Sequence, residues 1–235
     1  HGPRVGDARN PVGELGVQVR HRGESARSEE GMTQVLDRSF DLTFLVASVG
    51  SGGSISGFAR VLRKSNPDLS VIAVDHNLSV LFGPTSGEAT PLCRECYEPL
   101  LGMGSDIVIP NVDHTQCDEV HWVPVAKMIN AIHHMHNNYG LLLGPTAGAA
   151  YAIADWVARS YPDSKVLTIF PDHGIRYMRT VYNGEWLNER AEELQRTWSQ
   201  PTRVESPTAV GSDWAYYPWG RRSYPEVLGH GPVSR

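Results

Sequence analysis

The sequence predicts an α/β protein with a mostly parallel sheet flanked by helices on both faces. Short apolar runs alternate along the chain with longer segments whose apolar residues recur at helical spacing. Strands that alternate with helices favour parallel pairing, because each connecting helix returns the chain to the same end of the sheet. A glycine-rich turn at residues 50–54 joins the first predicted strand to the first predicted helix of this pattern.

Each predicted element follows from its own residue pattern. Compact apolar runs bounded by turn residues predict strands at residues 41–49, 70–75, 107–109, 119–123 and 166–170. Apolar positions three and four residues apart predict helices at residues 55–64, 125–138 and 147–161. An earlier helix ending at residue 36 would begin at Ser25 or Ser28, because either hydroxyl is suited to an N-cap.

The chain divides into three predicted regions. Residues 1–40 form a lead-in segment and helix, residues 41–190 form the α/β domain, and residues 191–235 form a helix end followed by an aromatic tail. The tail carries tryptophan and tyrosine among proline, glycine and arginine. Because dense exposed aromatics usually pack on something, we expect the tail to wrap either its own domain or a partner subunit.

Length and charge limit the classes of function. A chain of 235 residues with 40% hydrophobic content can bury a substantial core, as one domain with extensions. The formal net charge of -5 offers no basic footprint for nucleic acid. No run approaches the roughly 18 apolar residues that a membrane span needs, and no charged-then-apolar leader opens the chain. We therefore expect a cytoplasmic protein with neither nucleic acid nor membrane as a partner, whose N-terminus at His1 is processed, cut or incomplete.

The glycine-rich turn is predicted to hold a phosphate group. Gly50, Gly52 and Gly53 lack a Cβ, so the backbone can bend sharply and bring several N–H groups to one anion at a helix N-terminus. Ser51 and Ser54 add hydroxyl donors to the same turn. These five residues are our candidate phosphate-binding set.

Two common nucleotide motifs do not match this turn. A G-x-G-x-x-G fingerprint would need glycine at position 55, where the chain has Ile55, and the Gly-Lys-Ser/Thr end of a P-loop is absent. A tight strand-to-helix turn that binds no ligand is the alternative interpretation of an isolated glycine cluster.

Four motifs in sequence resemble the cysteine synthase family, the β-replacement enzymes of fold type II that use pyridoxal phosphate. Gly-Ser-Gly-Gly-Ser at residues 50–54 is similar to the family's phosphate loop, and Gly-Leu-Leu-Leu-Gly-Pro-Thr-Ala-Gly at residues 140–148 is similar to its second glycine motif. Residues 169–177 look like its closing strand and loop, and residues 102–123 fit between the two glycine motifs. Order and spacing agree over about residues 36–187.

The resemblance implies a cofactor and a further site residue. Pyridoxal phosphate works as an electron sink, which the protein tunes by what it places against the pyridine nitrogen. In the family a hydroxyl residue at a helix start takes that place, and Thr146 occupies the matching position. Ala147 stands where the family commonly has serine, and an ordinary helix N-cap is the alternative role for Thr146.

One departure from the family concerns lysine. The family binds its cofactor covalently through a lysine in the N-terminal half, and none of Lys64, Lys127 and Lys165 matches that position. The chain therefore resembles the C-terminal half of such an enzyme, and we assign no catalytic residue to it. The resemblance implies an activated serine as substrate, a sulfide or amine as nucleophile, and a partner that is the missing N-terminal half or a second copy, as in a dimer. A catalytically inactive relative that serves as a binding or regulatory subunit is the alternative.

Two further groups of residues leave alternatives open. Asp172 and Arg176 follow the last predicted strand, so they either face the ligand crevice or serve as a cap of the next helix and a surface ion-pair partner. The spacing of Cys93, Cys96, His114 and Cys117 has the outline of a zinc site, but it permits zinc without demanding it. Reduced, unlinked thiols are the alternative, and we assign no metal.

Overall fold

The computed structural model describes residues 41–83 and 102–229. Within those residues the chain forms six strands and six α-helices. In chain order they are β1 Phe44–Ser48, α1 Gly53–Ser65, β2 Ser70–Asp75, β3 Glu119–Trp122, α2 Val125–Tyr139, α3 Pro145–Ser160, β4 Val166–Thr168, α4 Gly184–Glu189, α5 Ala191–Leu194, β5 Thr202–Arg203, β6 Ala215–Pro218 and α6 Tyr224–Leu228.

All six strands belong to one sheet, in the order β4-β1-β2-β3-β6-β5. The four strands from β4 to β3 are mutually parallel, and β6 joins β3 in the antiparallel sense. Strands β1 and β2 read as nearly continuous apolar runs because a parallel sheet covered on both faces buries every side chain. The predicted mostly parallel sheet is confirmed.

Helices cover both faces of the sheet. Alternate residues of β1, such as Leu45 and Ala47, pack on one face against Ile55 and Phe58 of α1. Val46, which points the other way, belongs to a second cluster with residues of α2 and α3. The predicted two-sided cover is therefore confirmed.

The connections reverse direction beside β1. From β1 the chain passes through α1 to β2 on one side, and from β3 it returns through α2 and α3 to β4 on the other side of β1. In open parallel sheets such a reversal leaves a crevice at the carboxyl ends of the strands. The carboxyl end of β1 is therefore the place at which folds of this kind commonly bind a ligand.

Residue chemistry explains where the two long helices end and begin. Helix α2 ends at Gly140, whose φ of 68° is the left-handed conformation that glycine adopts at low cost. Helix α3 begins with Pro145 in its first turn, where the missing N–H costs no helical hydrogen bond. The segment between them therefore stops one helix and starts the next within a few residues.

The prediction of a strand at residues 107–109 is wrong. This stretch forms a bend and irregular chain. The Ile107 side chain is 57% exposed, and its N–H group bonds to the Oγ of Ser105. Val108 and Ile109 pack against the core from this loop, so an apolar run that suggested a strand is used for packing without joining the sheet.

The aromatic tail packs on its own domain, the first of the two expected alternatives. Strands β5 and β6 extend the sheet beyond β3, and the side chains of Trp214 and Trp219 on either side of β6 are fully buried. The indole N–H of Trp214 donates to Nδ1 of His121 at 3.2 Å. The tail thus completes the sheet of the α/β domain, and the predicted boundaries at residues 40 and 190 remain predictions.

None of the helices in the described ranges has the length and apolar character that crossing a bilayer requires. The helix predicted to end at residue 36 lies outside the described residues.

Candidate functional site

The glycine-rich turn lies where the sequence predicted it, between the end of β1 and the start of α1. Gly52 is the N-cap of α1 and has φ 80°, in the left-handed region. A Cβ on Gly52 would stand 2.6 Å from the Cα of Val112, and a Cβ on Gly50 would stand 2.7 Å from the carbonyl oxygen of Gly102. Close approach of the segment 102–112 therefore requires glycine at both positions.

Gly53 is under no such constraint. A Cβ there would meet only the Ser51 hydroxyl, at 3.8 Å. Gly53 is the first residue of α1, so its role in the turn is to present a backbone N–H group.

The N-terminus of α1 is suited to an anion. The first N–H groups of an α-helix have no carbonyl partner within the helix, and they carry the positive end of its dipole. No side chain among the described residues caps them, and the first turn contains no acidic residue. Ser51 is exposed and Ser54 is half-buried at the same turn. The arrangement is a backbone cradle for a phosphate-sized anion.

The turn forms one wall of a cavity of about 110 Å³. The opposite wall comes from the carboxyl end of β4, where Ile169 and Pro171 follow the strand. The lining residues are Ala47, Ser48, Gly50, Ser51, Gly52, Ser54, Ile55, Gly102, Ile169 and Pro171. The cavity therefore occupies the crevice between β1 and β4 that the topology creates.

Thr146 lies beside this cavity and is 2% exposed. Its Oγ1 stands 3.6 Å from the point that a Cβ on Gly102 would occupy, and Gly102 is part of the cavity wall. The N-cap of α3 is Gly144, and Thr146 is the second residue of the helix. The alternative role of Thr146 as an ordinary N-cap is therefore wrong.

Asp172 caps α3, the helix that precedes it in the chain. Its Oδ1 accepts the Ala147 N–H at 3.3 Å, and its Oδ2 accepts the Tyr177 hydroxyl at 2.6 Å. Burial raises the pKa of the Asp172 carboxyl, although the two hydrogen bonds act in the opposite direction. The following 3₁₀ helix, Gly174–Tyr177, is capped by the side chain of His173 instead. Capping of the next helix by Asp172 is therefore wrong, and Arg176 is exposed.

A buried acid and a buried histidine stand side by side at the carboxyl end of β2. Burial raises the pKa of Asp75 to about 7 and lowers the pKa of His76 to about 4. Oδ1 of Asp75 accepts the N–H of His76 at 2.8 Å. A Cβ on Gly104 would overlap the His76 ring, so the segment after Gly102 closes directly over this pair.

Half of the candidate zinc set lies among the described residues. The Nε2 of His114 stands 2.7 Å from the carbonyl oxygen of Leu81, and burial raises the pKa of the Cys117 thiol to about 12. Both side chains belong to the packed interior. Cys93 and Cys96 lie outside the described residues, and no three His, Cys, Asp or Glu side chains within the described ranges converge as metal ligands.

Sequence reasoning missed several residues of the cavity wall. Gly102, Ile169 and Pro171 line the cavity, and Asp172 follows directly behind it. Their common signal is position: Ile169 and Pro171 follow a buried strand, and Gly102 belongs to a Gly-Met-Gly run. Only the tertiary structure shows that these segments meet the glycine-rich turn.

A parallel sheet with an uncapped helix N-terminus at its switch point is typical of α/β proteins that bind phosphorylated ligands. A family model described as "Pyridoxal-phosphate dependent enzyme" matches residues 29–172. The chain belongs to this family, whose cofactor is pyridoxal phosphate. The resemblance to cysteine-synthase-type enzymes is confirmed by the relatives that follow.

Three relatives illustrate the similarity. N-(2-amino-2-carboxyethyl)-L-glutamate synthase of Cupriavidus metallidurans is 32% identical over 177 residues, which cover 74% of this chain and 48% of the relative. Cysteine synthase of Helicobacter pylori is 32% identical over 59% of this chain and 43% of the relative. The crystal structure of O-acetylserine dependent cystathionine beta-synthase from Helicobacter pylori matches with a TM-score of 0.55 and 31% identity, covering 63% of this chain and 46% of that one. The chain spans about half the length of the curated relatives it matches.

The residues present fit the phosphate end of this cofactor. Gly50 and Gly52 line the cavity without a side chain that would fill it, and α1 begins there without a side-chain cap at its N-cap residue. Gly102, which lines the same cavity as that turn, also lies close to the Oγ1 of Thr146.

Proposed function

We propose that this chain forms the cofactor-binding part of a pyridoxal-phosphate-dependent β-replacement enzyme of cysteine-synthase type. The substrate would be an activated serine, and the nucleophile would be a sulfide or an amine. The observation that carries the proposal is that the turn at residues 50–54 lines a cavity at the carboxyl end of the sheet together with Gly102. The Oγ1 of Thr146 lies 3.6 Å from the position that a Cβ on Gly102 would occupy.

Each residue of the site has a proposed task. The turn formed by Gly50, Ser51, Gly52, Gly53 and Ser54 would bind the cofactor phosphate through backbone N–H groups and two hydroxyls. When bound, the cofactor supplies an electron sink for cleavage and formation of bonds at the amino acid.

The protein group that faces the ring of the cofactor would be an uncharged hydroxyl. The Thr146 hydroxyl would face the pyridine nitrogen, and a hydroxyl does not force that nitrogen to carry a proton. The apolar side chains of Ile55 and Ile169 would exclude water from the space between the phosphate and the ring.

The lysine chemistry would come from outside this chain. The three lysines of the sequence all lie among the described residues, and none lines the cavity. Lys64 is exposed, Lys127 donates to the carbonyl of Trp198 at 3.1 Å, and Lys165 pairs with Asp41 on the surface. We therefore propose that the chain alone is inactive and that an N-terminal half supplies the lysine. A second copy, which carries the same three lysines, would be a partner in a dimer and not the source of that lysine.

A binding experiment tests this proposal. The purified chain should bind pyridoxal phosphate weakly and without the visible absorbance band of a lysine-bound cofactor. A visible band that disappears when Lys64, Lys127 and Lys165 are replaced together would show that one of them binds the cofactor, and it would contradict the lysine assignment.

A substitution in the turn tests the phosphate assignment. Gly53→Asp places a carboxylate at the anion site without a steric clash, because a Cβ there meets only the Ser51 hydroxyl at 3.8 Å. It should weaken binding by at least about tenfold, or about 1.4 kcal/mol. Gly184→Asp is the matched control, because a Cβ there meets open space and the added charge is the same. Equal binding by both variants would contradict the assignment.

The alternative function, an inactive relative acting as a binding or regulatory subunit, is favoured by the lysine-free cavity. Such a protein would leave the turn empty or fill it with a small anion. It would bind inorganic phosphate as well as it binds pyridoxal phosphate, whereas the enzyme-type site should prefer the cofactor.

We also propose a cytoplasmic location, supported by the unpaired, buried thiol of Cys117. Free thiols are typical of reducing compartments. Fractionation of cells that express the protein would test it, and recovery from an oxidising compartment would contradict it.

A further inference from the structure

Helix α3 starts without a cap of its own. Its N-cap residue is Gly144, which has no side chain, and Pro145 occupies the first turn. The N–H group of Ala147, the third helical residue, is one of those that a capping side chain normally satisfies. A residue with a capping side chain could not replace Gly144, because a Cβ there would lie 1.9 Å from Oδ2 of Asp172.

Asp172 supplies the missing cap from 25 residues further along the chain. Its carboxylate accepts the Ala147 N–H, while its own carbonyl oxygen accepts the N–H of Gly144 at 3.2 Å. Two hydrogen bonds therefore tie the loop after β4 to the first turn of α3. A carboxylate at this end of a helix also interacts favourably with the helix dipole.

Tyr177 holds the carboxylate in place. Its hydroxyl donates to Oδ2 of Asp172, which leaves Oδ1 directed at Ala147. The Tyr182 hydroxyl donates to the carbonyl of Leu143 at 2.7 Å, which fixes the chain just before the helix. The helix start is thus held from the loop at several points.

The hydrogen bonds that Asp172 and Tyr177 make at the start of α3, which we call the clamp, lie directly behind the cavity. Pro171, the residue before Asp172, lines the cavity, and Thr146 is the residue before Ala147. The Asp172 side chain is not part of the cavity lining. It bonds the backbone N–H of Ala147, the residue next to Thr146, so the clamp holds the backbone beside the Thr146 side chain.

We propose that Asp172, held by Tyr177, is a positioning residue that sets the Thr146 hydroxyl against the ring of the bound cofactor. This inference rests on the proposed function. Asp172 acts through Thr146 and does not itself touch the ligand. An ordinary helix cap would stabilise α3 in the same way, so the test must separate positioning from stability.

Two ligands separate the ring end of the site from the phosphate end. The first is 4′-deoxypyridoxine 5′-phosphate, which has the ring and phosphate but no aldehyde and so forms no bond with lysine. The second is glycerol phosphate, which has no ring. Equilibrium dialysis of the full chain with each ligand gives two dissociation constants for every variant.

Asp172→Ala should weaken binding of the ring ligand by about tenfold and leave binding of glycerol phosphate within about twofold. Tyr177→Phe should produce a smaller loss of the same kind. Asp172→Asn should restore most of the affinity, because its amide oxygen still accepts the Ala147 N–H. Asp155→Ala, which removes a carboxylate from the far end of α3 and breaks only an exposed pair with Arg159, should change neither constant.

The decisive result is the dependence on Thr146. In a Thr146→Val background, Asp172→Ala should have no further effect on the ring ligand, because the hydroxyl that it positions is gone. A loss of equal size in both backgrounds, or an equal loss for both ligands, would overturn the positioning role. If Asp172→Ala does not fold, Asp172→Asn and Tyr177→Phe are compared in the two backgrounds in the same way.

The outcomes also separate this inference from the proposed function. A wild-type chain that binds the ring ligand no better than glycerol phosphate contradicts the proposed function, and the inference falls with it. A wild-type chain that prefers the ring ligand, together with variants that keep that preference, contradicts the inference alone.

Discussion

Gly52, the N-cap of α1, and Gly57, five residues later inside the helix, differ in what a substitution by alanine would do to stability. Gly52 has φ 80° and no room for a Cβ, whereas a Cβ on Gly57 would meet nothing within 4 Å. Gly52→Ala should lower the free energy of unfolding by at least about 1–2 kcal/mol, the cost of a left-handed non-glycine residue. Urea unfolding measures this change.

Gly57→Ala is the matched control within the same helix. Alanine in a helix interior should raise the free energy of unfolding by up to about 1 kcal/mol. A stabilised Gly52→Ala variant would show that the left-handed turn is not required.

Asp75 should make stability depend on pH. Its folded-state pKa of about 7 lies above the ordinary value of 3.8, so the folded state holds a proton that the unfolded state releases between these values. The contribution of Asp75 to stability is therefore fully present below about pH 4, and it is lost as pH rises to about 7. The loss has a maximum slope of about 1.4 kcal/mol per pH unit.

His76 has the opposite effect over nearly the same range. Its pKa is lowered from 6.5 to about 4, so between these values the unfolded state binds the extra proton and stability rises with pH. Asp75→Asn removes only the first effect. Urea unfolding from pH 4 to pH 8 should therefore show the wild type losing stability relative to the variant up to about pH 7, with a constant difference above it. A constant difference throughout would contradict the raised pKa of Asp75.

At this residue scale the sequence predicted the sharp glycine-rich turn between a strand and a helix, because that turn depends on chain geometry within a few positions. It did not predict the contribution of Gly102 or the cap by Asp172. Each of these acts on a residue far away in the chain, at Gly50 and at Ala147 respectively. Such a pairing exists only once β1 and β4 are neighbours.

At the scale of elements, strand β6 and the buried tryptophans beside it should contribute several kcal/mol to the free energy of unfolding. The Trp219 ring is fully buried, contacts Phe82 edge-on with centroids 5.1 Å apart, and donates its N–H to the carbonyl of Arg222. Trp219→Ala should cost about 3–5 kcal/mol of unfolding free energy. Ile175→Ala, at a side chain that is 66% exposed, should change it by no more than about 0.5 kcal/mol. Equal melting temperatures for the two variants would contradict the packing of the tail.

The elements that the sequence predicted well are those with long or uninterrupted patterns. Strand β2 begins and ends at the predicted residues, and α2 and α3 differ from prediction by one or two residues at their ends. Strands β5 and β6 have only two and four residues, which is too short for a period of two to be recognised. The stretch at 107–109 carries the composition of a strand but occupies a loop that covers the core.

For the whole molecule, we expect association with a second copy or with a separate N-terminal half. The tail packs on its own sheet, so it no longer supports this expectation. Exposed apolar side chains near the crevice at the carboxyl end of β4 do support it. Ile175 and Met178 follow β4 there and are 66% and 47% exposed. A specific contact should bury more than about 1,000 Å² in total.

Sedimentation velocity at micromolar concentration tests this association. Self-association should be weakened by the double substitution Ile175→Glu with Met178→Glu. It should be unaffected by Tyr161→Glu, an exposed site before the amino end of β4. A wild-type monomer that remains monomeric with an N-terminal half present would contradict the expectation.

The central position of β1 has a consequence for the order of folding. Phe44 pairs with Ser70 on one side, a neighbour close in sequence, and with Val166 on the other, more than half the chain later. Because closing a long loop costs more entropy than closing a short one, we expect β1, α1 and β2 to assemble early and β4 to dock late. During synthesis the anion turn would thus exist before its opposite wall emerges from the ribosome. Pulse-labelled hydrogen exchange should show protection of β2 amides before those of β4, and simultaneous protection would argue for a single concerted step.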